Sequence, residues 1–367
     1  MPQTVPPGPP SHRPPSHRLP SRRGDWQHAG RVALGLAVPG AALMLAGRPD
    51  LIIYAVFGSF TGMYGRGETR LARLRHQACG GAVIMAGASI GITLAAVDAG
   101  PWVLVACASL FAGAAGVVAD GLGLRPQGPF FAVFALGALA TVPAGRVAPV
   151  TAALLCAATA LFSLLLGLLG RADATARHGP DPVPGRLALA SAHAVRYAAA
   201  AAAAGAAGVV LGVDHANWAI ASAIVPLSAT DPGRHLRPGL ASVARRGAHR
   251  VVGSLAGLVV AGALFDAGVD GGPAALTVMA LLFPTELFMA RNYGLALGFF
   301  TPLILMMTQL AAPSEPRSLV AFRAVDTVLG VAAGVLVAAL ASALASAQQR
   351  TTPKPASLYG PARVPRG

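Results

Sequence analysis

Charge is scarce in this chain: only 11% of its 367 residues are Asp, Glu, Lys or Arg, against roughly 25% in ordinary soluble domains. Lysine is almost missing, with Lys354 the single example, and aromatic residues make up only 6%. There are three cysteines, Cys79, Cys107 and Cys156, all inside apolar stretches and without ligand-like spacing. They read as small apolar residues, and neither a disulfide framework nor a metal site is expected. The chain has no G-x-x-x-x-G-K-[ST] loop, hence no ATPase of its own, and no nucleophile–base pair. No cofactor and no enzymatic activity are expected. What is abundant is apolar: 54% of residues, with a mean hydropathy of +0.61. A water-soluble enzyme is excluded.

The net charge of +14 raises the question of nucleic acid. The arginines, however, collect at the ends of apolar segments and form no continuous stripe, so the bilayer, and not nucleic acid, is the expected partner. Residues 1–24 and 347–367 are Pro-containing polar tails, expected to be disordered and without the apolar core of a cleaved signal peptide. Between them lie twelve apolar segments, each roughly 16–25 residues long, which suits ~30 Å of hydrocarbon. Six fall at about 28–46, 50–65, 76–97, 101–119, 128–143 and 147–170. A polar linker at 171–186 precedes 187–212, 215–230, 249–266, 273–290, 292–311 and 321–346. The second, fifth and eighth are short, and the seventh is weakly hydrophobic. The expected class is all-α, a polytopic membrane bundle of about twelve transmembrane helices.

Strict alternation sorts the charges. With the N-terminus inside, the inner segments hold Arg66, Arg70, Arg73, Arg75, Arg125, Arg245, Arg246, Arg250 and Arg291, among others. The opposite side receives Arg48, Arg146 and Arg317, along with Asp50, Asp98, Asp266, Asp270 and Glu315. That asymmetry places both termini in the cytoplasm. The halves also echo each other. His28-Ala29-Gly30-Arg31 opens the first segment and His193-Ala194-Val195-Arg196 the seventh, while Arg73, His76 and Gly80 share the spacing of Arg246, His249 and Gly253. Six spans separate equivalent points, so the expectation is two parallel six-helix repeats, 25–170 and 187–346, about an axis along the membrane normal.

Particular residues in the second half resemble a known family. They are Arg245-Arg246-xx-His249-Arg250-Val251-Val252-Gly253, then Asn292-Tyr293-xxxx-Gly298-Phe299-Phe300-Thr301-Pro302, then Arg323-xx-Asp326-Thr327-xx-Gly330-xxx-Gly334. The chain is similar to the fusaric acid resistance protein-like family of bacterial inner-membrane proteins, which includes the aromatic acid exporters. That resemblance implies a six-plus-six membrane domain in the cytoplasmic membrane and proton-driven export of aromatic or amphiphilic organic acids. Larger members carry a sizeable cytoplasmic domain, where this chain has the linker at 171–186.

Ionisable residues inside spans are costly and mark candidate sites. Arg323 and Asp326, three apart on one helix face, can neutralise each other, as a proton- or substrate-linked pair or as a structural one. Glu286 follows Pro284, which can open the helix locally. It reads either as a titrating carboxylate or as a snorkelling partner of Arg291. Arg31 and Arg196 read as a cationic entrance for an organic anion or as headgroup neighbours. His28, His76, His193 and His249 at the same boundary read as headgroup neighbours. The Pro-flanked fifth segment corresponds to the eleventh, and matched interruptions point to a transport site. Phe130, Phe131, Phe134, Tyr293, Phe299 and Phe300 read either as its lining for a flat ring or as residues facing lipid and neighbouring helices, with Asn292, Thr301 and Thr308 as sources of hydrogen bonds. The Gly-xxx-Gly pairs at 58/62, 87/91, 208/212, 253/257, 294/298 and 330/334 read as close helix contacts. No metal site is expected. A passive anion channel and a non-transporting scaffold for envelope machinery are the alternatives to an exporter, and a homo-oligomer is compatible with each.

Overall fold

The computed structural model describes residues 22–169, 186–212, 216–229, 231 and 238–351. Most of the expected tail at 1–24, of the linker at 171–186 and of the tail at 347–367 lies outside the described residues. All twelve expected segments contain a helix, and the described residues form no strand. The first six are α1 (Arg22–Leu45), α2 (Ile52–Ser59), α3 (Arg70–Ala96), α4 (Pro101–Leu122), α5 (Phe130–Ala140) and α6 (Pro149–Leu169). The second six are α7 (Arg186–Val210), α8 (Ala216–Leu227), α9 (Leu240–Asp266), α10 (Gly271–Met289), α11 (Tyr293–Ala311) and α12 (Pro316–Thr351). Helices α3 and α9 start well ahead of the expected 76 and 249. Arginine is a good helix former, so the Arg-rich turns continue the helices and carry Arg73, Arg246 and Arg250 within them.

Nine helices among the described residues are long and apolar enough to cross a membrane. This is a multi-pass membrane protein. The expectation of twelve comparable spans needs correction at three places, because α2, α5 and α8 have only 8, 11 and 12 residues. At 1.5 Å per residue they fall well short of ~30 Å. Burial explains how they persist. Every residue of α2 and α8 is buried, as are Phe130–Leu139 of α5. The protein itself therefore shields their irregular ends, the circumstance in which non-helical backbone is tolerated at membrane depth. Two 3₁₀ turns, Pro49–Leu51 and Phe60–Met63, extend α2, and the second of them is buried throughout. Helix α11 is the most buried of the long ones, with 67% of its apolar window inside the protein.

The architecture follows from that split. Helices α2, α5, α8 and α11 form an inner group, with α5 against α8 and α2 against α11. Around it stand the other eight, whose outward apolar side chains, such as Leu34, Leu110, Leu154, Val195, Val259 and Leu336, are exposed. Those outer surfaces suit hydrocarbon, whereas in water they would be an unusually large apolar patch.

Glycine lets the outer helices press onto the inner ones. A Cβ on Gly87 or Gly91 of α3 would sit 2.3 or 2.4 Å from the Ala132 and Leu136 carbonyl oxygens of α5. On Gly330 or Gly334 of α12 it would sit 2.2 Å from the Ala219 and Ala223 carbonyls of α8. The Gly-xxx-Gly pairs at these two seams act as backbone-to-backbone contacts. Neighbour relations recur along the chain. Helix α3 lies on α5 and α6, as α9 lies on α11 and α12; α6 covers α2, as α12 covers α8; α1 packs on α10, and α7 on α4.

Candidate functional site

A cluster of phenylalanines fills the middle of the inner group. Phe130 and Phe134, one turn apart on α5, stack with centroids 5.8 Å apart. Phe57 of α2 meets Phe134 at 5.4 Å, and Phe60 meets Phe131 at 5.3 Å. Phe300 of α11 reaches Phe60 at 6.0 Å and Phe134 at 6.2 Å. Each such pair adds roughly 0.5–1.5 kcal/mol beyond area burial, so the rings tie α2 and the 3₁₀ turn after it to α5 and α11.

Two arginines border this cluster, and both are fully buried. Arg250, from the third turn of α9, places its guanidinium 5.1 Å from the Phe130 ring centre. Its Nη2 donates to the Ser222 hydroxyl of α8 at 3.5 Å. Arg323, from the second turn of α12, lies 4.7 Å from the Trp218 ring of α8 and 6.0 Å from Phe134. The two cations are close enough to repel each other. Among the described residues, Nε and Nη1 of both arginines find no hydrogen-bond acceptor, and neither oxygen of the buried Asp326 finds a donor. A ring face offsets about 1–2 kcal/mol of a desolvated cation's cost, whereas leaving a buried charge without its partner costs roughly 3–5 kcal/mol. The centre thus holds donors that the protein does not satisfy.

The expected pairing of Arg323 with Asp326 is corrected by this geometry. The two share a helix face, but no nitrogen–oxygen contact within salt-bridge distance joins them, because the Arg323 guanidinium turns to Trp218. The expected Glu286–Arg291 pairing is corrected as well. Glu286 is buried and takes His28 Nε2 at 3.2 Å and Arg66 Nη2 at 3.3 Å. Arg291 goes to Asp25, with Nε donating at 2.8 Å, and Arg66 Nη1 joins that carboxylate at 3.3 Å. These residues form a matched network at the start of α1 and the end of α10. His28 and His193 are likewise buried and face carboxylates instead of headgroups; His193 Nδ1 lies 2.7 Å from Asp120. His76 pairs with Glu68 at 2.5 Å, and His249 is exposed.

Other expected site residues scatter. Phe299 faces α10, stacked 5.9 Å from Phe288, since adjacent helical residues point about 100° apart; Phe300 takes the central place. Asn292 is exposed and caps α11, its Oδ1 accepting from the Leu295 amide at 3.1 Å. Tyr293 lies beneath Arg246, 4.4 Å from ring centre to guanidinium, at the edge of the cluster. Thr301 is buried against Gly257 of α9. Arg31 and Arg196 are half-buried on α1 and α7, and Arg31 feels Arg73 and Arg66. Sequence reasoning missed Arg250 and Trp218 as site residues. The signal for Arg250 was its position, one helical turn beyond Arg246 and within the same helix.

Among the described residues no group of three His, Cys, Asp or Glu side chains is arranged to hold a metal. The centre instead offers two cations, one carboxylate and a set of ring faces. Residues 199–337 match the fusaric acid resistance protein-like family. That stretch carries Trp218, Arg250, Phe300, Arg323 and Asp326, so all three central charges lie within the fusaric acid resistance protein-like part of the chain, while α5 with Phe130 and Phe134 lies outside it. No curated protein matches the chain, and no solved structure does.

Proposed function

We propose that the protein is a proton-coupled secondary exporter of aromatic or amphiphilic organic acids in the bacterial cytoplasmic membrane, with both termini inside. The observation that carries this reading is the pair of fully buried arginines, with unsatisfied guanidinium N–H groups, set among phenylalanine rings. A guanidinium fork matches a carboxylate, and ring faces match an aromatic body. The same group of side chains therefore suits both ends of an aromatic acid. Asp326, three residues from Arg323, competes with the incoming carboxylate for the central positive charge. Because both carboxylates act on the same positive charge, the protonation state of Asp326 and the binding of cargo are coupled at one place, and Asp326 is the candidate link to the proton gradient.

Two parallel six-helix repeats, 25–170 and 187–346, are part of this reading. The recurring neighbour relations support them, as does the placing of α2, α5, α8 and α11 at corresponding positions of each half. Export then follows from rocking of one half against the other about the aromatic centre. The test is uptake of radiolabelled 4-hydroxybenzoate by proteoliposomes containing the full chain, with and without an imposed pH gradient. The expected result is gradient-dependent accumulation, saturable, and abolished in Asp326→Asn. Flux that follows voltage alone, with no response to the pH gradient, would assign the protein to anion channels instead.

A further inference from the structure

Two buried histidine–carboxylate pairs stand at matching places in the molecule, and the proposed centre uses neither. His28 of α1 meets Glu286 of α10 at 3.2 Å, and His193 of α7 meets Asp120 of α4 at 2.7 Å. All four side chains are nearly inaccessible, at 2–3% exposure. The histidines occupy the same place in the His-Ala-x-Arg echo that opens α1 and α7. The carboxylates sit near the ends of α4 and α10, and the packing of α1 on α10 mirrors that of α7 on α4. In each pair the histidine comes from one half of the chain and the carboxylate from the other. The pairs therefore bridge the two seams across which the halves would have to move.

Each pair also keeps an unused place for a proton. His193 approaches Asp120 through Nδ1, so in the neutral ring Nδ1–H donates to the carboxylate and the Nε2 lone pair is left over. Nε2 is buried and has no hydrogen-bond partner among the described residues. In the other pair it is Glu286 Oε1 that is buried without a partner. A purely structural ion pair in a dry seam would be expected to satisfy those atoms.

The charged surroundings of the pairs differ. Around His28, Glu286 and Arg66 act directly, with Arg31 on the same helix. Arg66 also reaches Asp25, which Arg291 holds from the loop after α10. Around His193 stand Asp120 from α4 and the Tyr197 ring, 4.5 Å away on α7. The Tyr197 hydroxyl lies 3.5 Å from Ser228 beyond α8, and Arg246 of α9 acts on it electrostatically. Helix α12, also against α7, has Arg323 and Asp326 as its buried ionisable residues, and these belong to the aromatic centre.

We propose that His193–Asp120 and His28–Glu286 are equivalent proton-binding sites, one on each seam between the halves, separate from the anion site at Arg250 and Arg323. This rests on the proton-coupled reading above only for its role in transport. Proton binding at His193 Nε2 turns a neutral imidazole beside a carboxylate into an imidazolium–carboxylate pair, and at Glu286 Oε1 it neutralises the carboxylate. The seam's net charge changes by one in each case, and the proton returns to water when the seam opens. A buried seam responds strongly to such a change because its charges are poorly screened.

The first measurement is ¹⁵N NMR of histidine-labelled full chain in micelles, with His28 and His193 assigned through His28→Gln and His193→Gln. The His193 ring should gain a proton as pH falls, and so should the Glu286 carboxyl, followed by ¹³C NMR of glutamate-labelled chain. Removing the partner in Asp120→Asn or His28→Gln should move the corresponding midpoint by about one pH unit, a tenfold change in proton affinity. A His193 ring or a Glu286 carboxyl that holds one protonation state throughout, or midpoints indifferent to the partner, overturns the proposal. The second measurement compares gradient-driven 4-hydroxybenzoate uptake with gradient-free exchange in the His28→Gln/His193→Gln variant. Uptake should fall about tenfold while exchange stays within about twofold, the mark of lost coupling and not lost binding. A variant that keeps gradient-driven uptake overturns the proposal. If wild-type protein carries no 4-hydroxybenzoate, the exporter reading fails for that probe, and the NMR titration still decides the proton sites.

Discussion

The aromatic centre and the ion network at the start of α1 hold the same kinds of charge and treat them in opposite ways. At the helix ends, Asp25 receives Arg66 and Arg291 while Glu286 receives His28 and Arg66, so both buried carboxylates are matched from two sides. In the centre, Arg250 and Arg323 lean on rings, and no carboxylate of the described residues forms a salt bridge with them. A matched network fixes geometry, because loosening any member leaves a charge without a partner. A centre with more cation than the protein neutralises holds free energy that an arriving anion can recover. Bracing the helices and binding an anion are thus divided between two regions, with Glu286 Oε1 in the first left open for a proton.

The largest expected effect breaks that division at the centre. Arg323→Ala or Arg250→Ala should lower 4-hydroxybenzoate transport by at least about a hundredfold, or ~2.7 kcal/mol. The same variants should leave the melting temperature unchanged or raise it, since an unsatisfied buried charge is removed. Reconstituted flux and thermal unfolding in detergent, measured together, check this; a large loss of stability would make the arginines structural. Asp25→Asn should act the other way. It leaves Arg291 without a carboxylate and Arg66 with Glu286 alone, so the protein should lose roughly 1–3 kcal/mol of stability. Melting should fall by several degrees, with transport per folded molecule nearly kept.

The smallest effect sharpens the contrast with the loops. Hydrogen bonding from Arg48 holds the Asp50 carboxyl below its ordinary range, and the Ser318 hydroxyl and amide do the same for Glu315, at the N-terminus of α12. Depressed carboxyls contribute stability above their unfolded pKa and lose it as pH falls through the folded one. The loss should therefore appear only below about pH 4. Both residues are solvent-accessible, so the change should be small. Melting curves between about pH 5 and 3 should show a slight decline in wild type that Asp50→Asn/Glu315→Gln lacks.

Much of the helical plan was legible in the sequence, because an apolar run bounded by charge has few other fates in a bilayer. All twelve segments contain helices near the places expected. The shortness of the second, fifth and eighth was visible too, but not its meaning: length cannot distinguish a weak span from a helix wrapped by its neighbours. The site was half legible. Arg323, Asp326, Phe130 and Phe134 lie at the centre, whereas Asn292 caps a helix and Phe299 faces away. Adjacent side chains on a helix diverge, so a pair such as Phe299-Phe300 can be assigned to a site only when the neighbour that each one meets is known. Arg250 was hidden for a related reason, as one arginine among several whose depth depends on where α9 begins.

Composition and patterning alone determined that this chain is a helical membrane protein, with its arginines at segment ends. Hydropathy and chain connectivity suffice for that, since each is a property of residues and their order. Of its Gly-xxx-Gly pairs, those at 87/91 and 330/334 meet neighbouring backbones, while Gly212 and Gly298 meet nothing within 4 Å. Which charges are matched was decided only by the tertiary structure. Partners such as Asp25 and Arg291 are remote in sequence, and a few ångströms separate a satisfied guanidinium from one left facing a ring. Burial then sets the consequence, because in a dry interior that small difference in distance is the difference between a brace and a binding site.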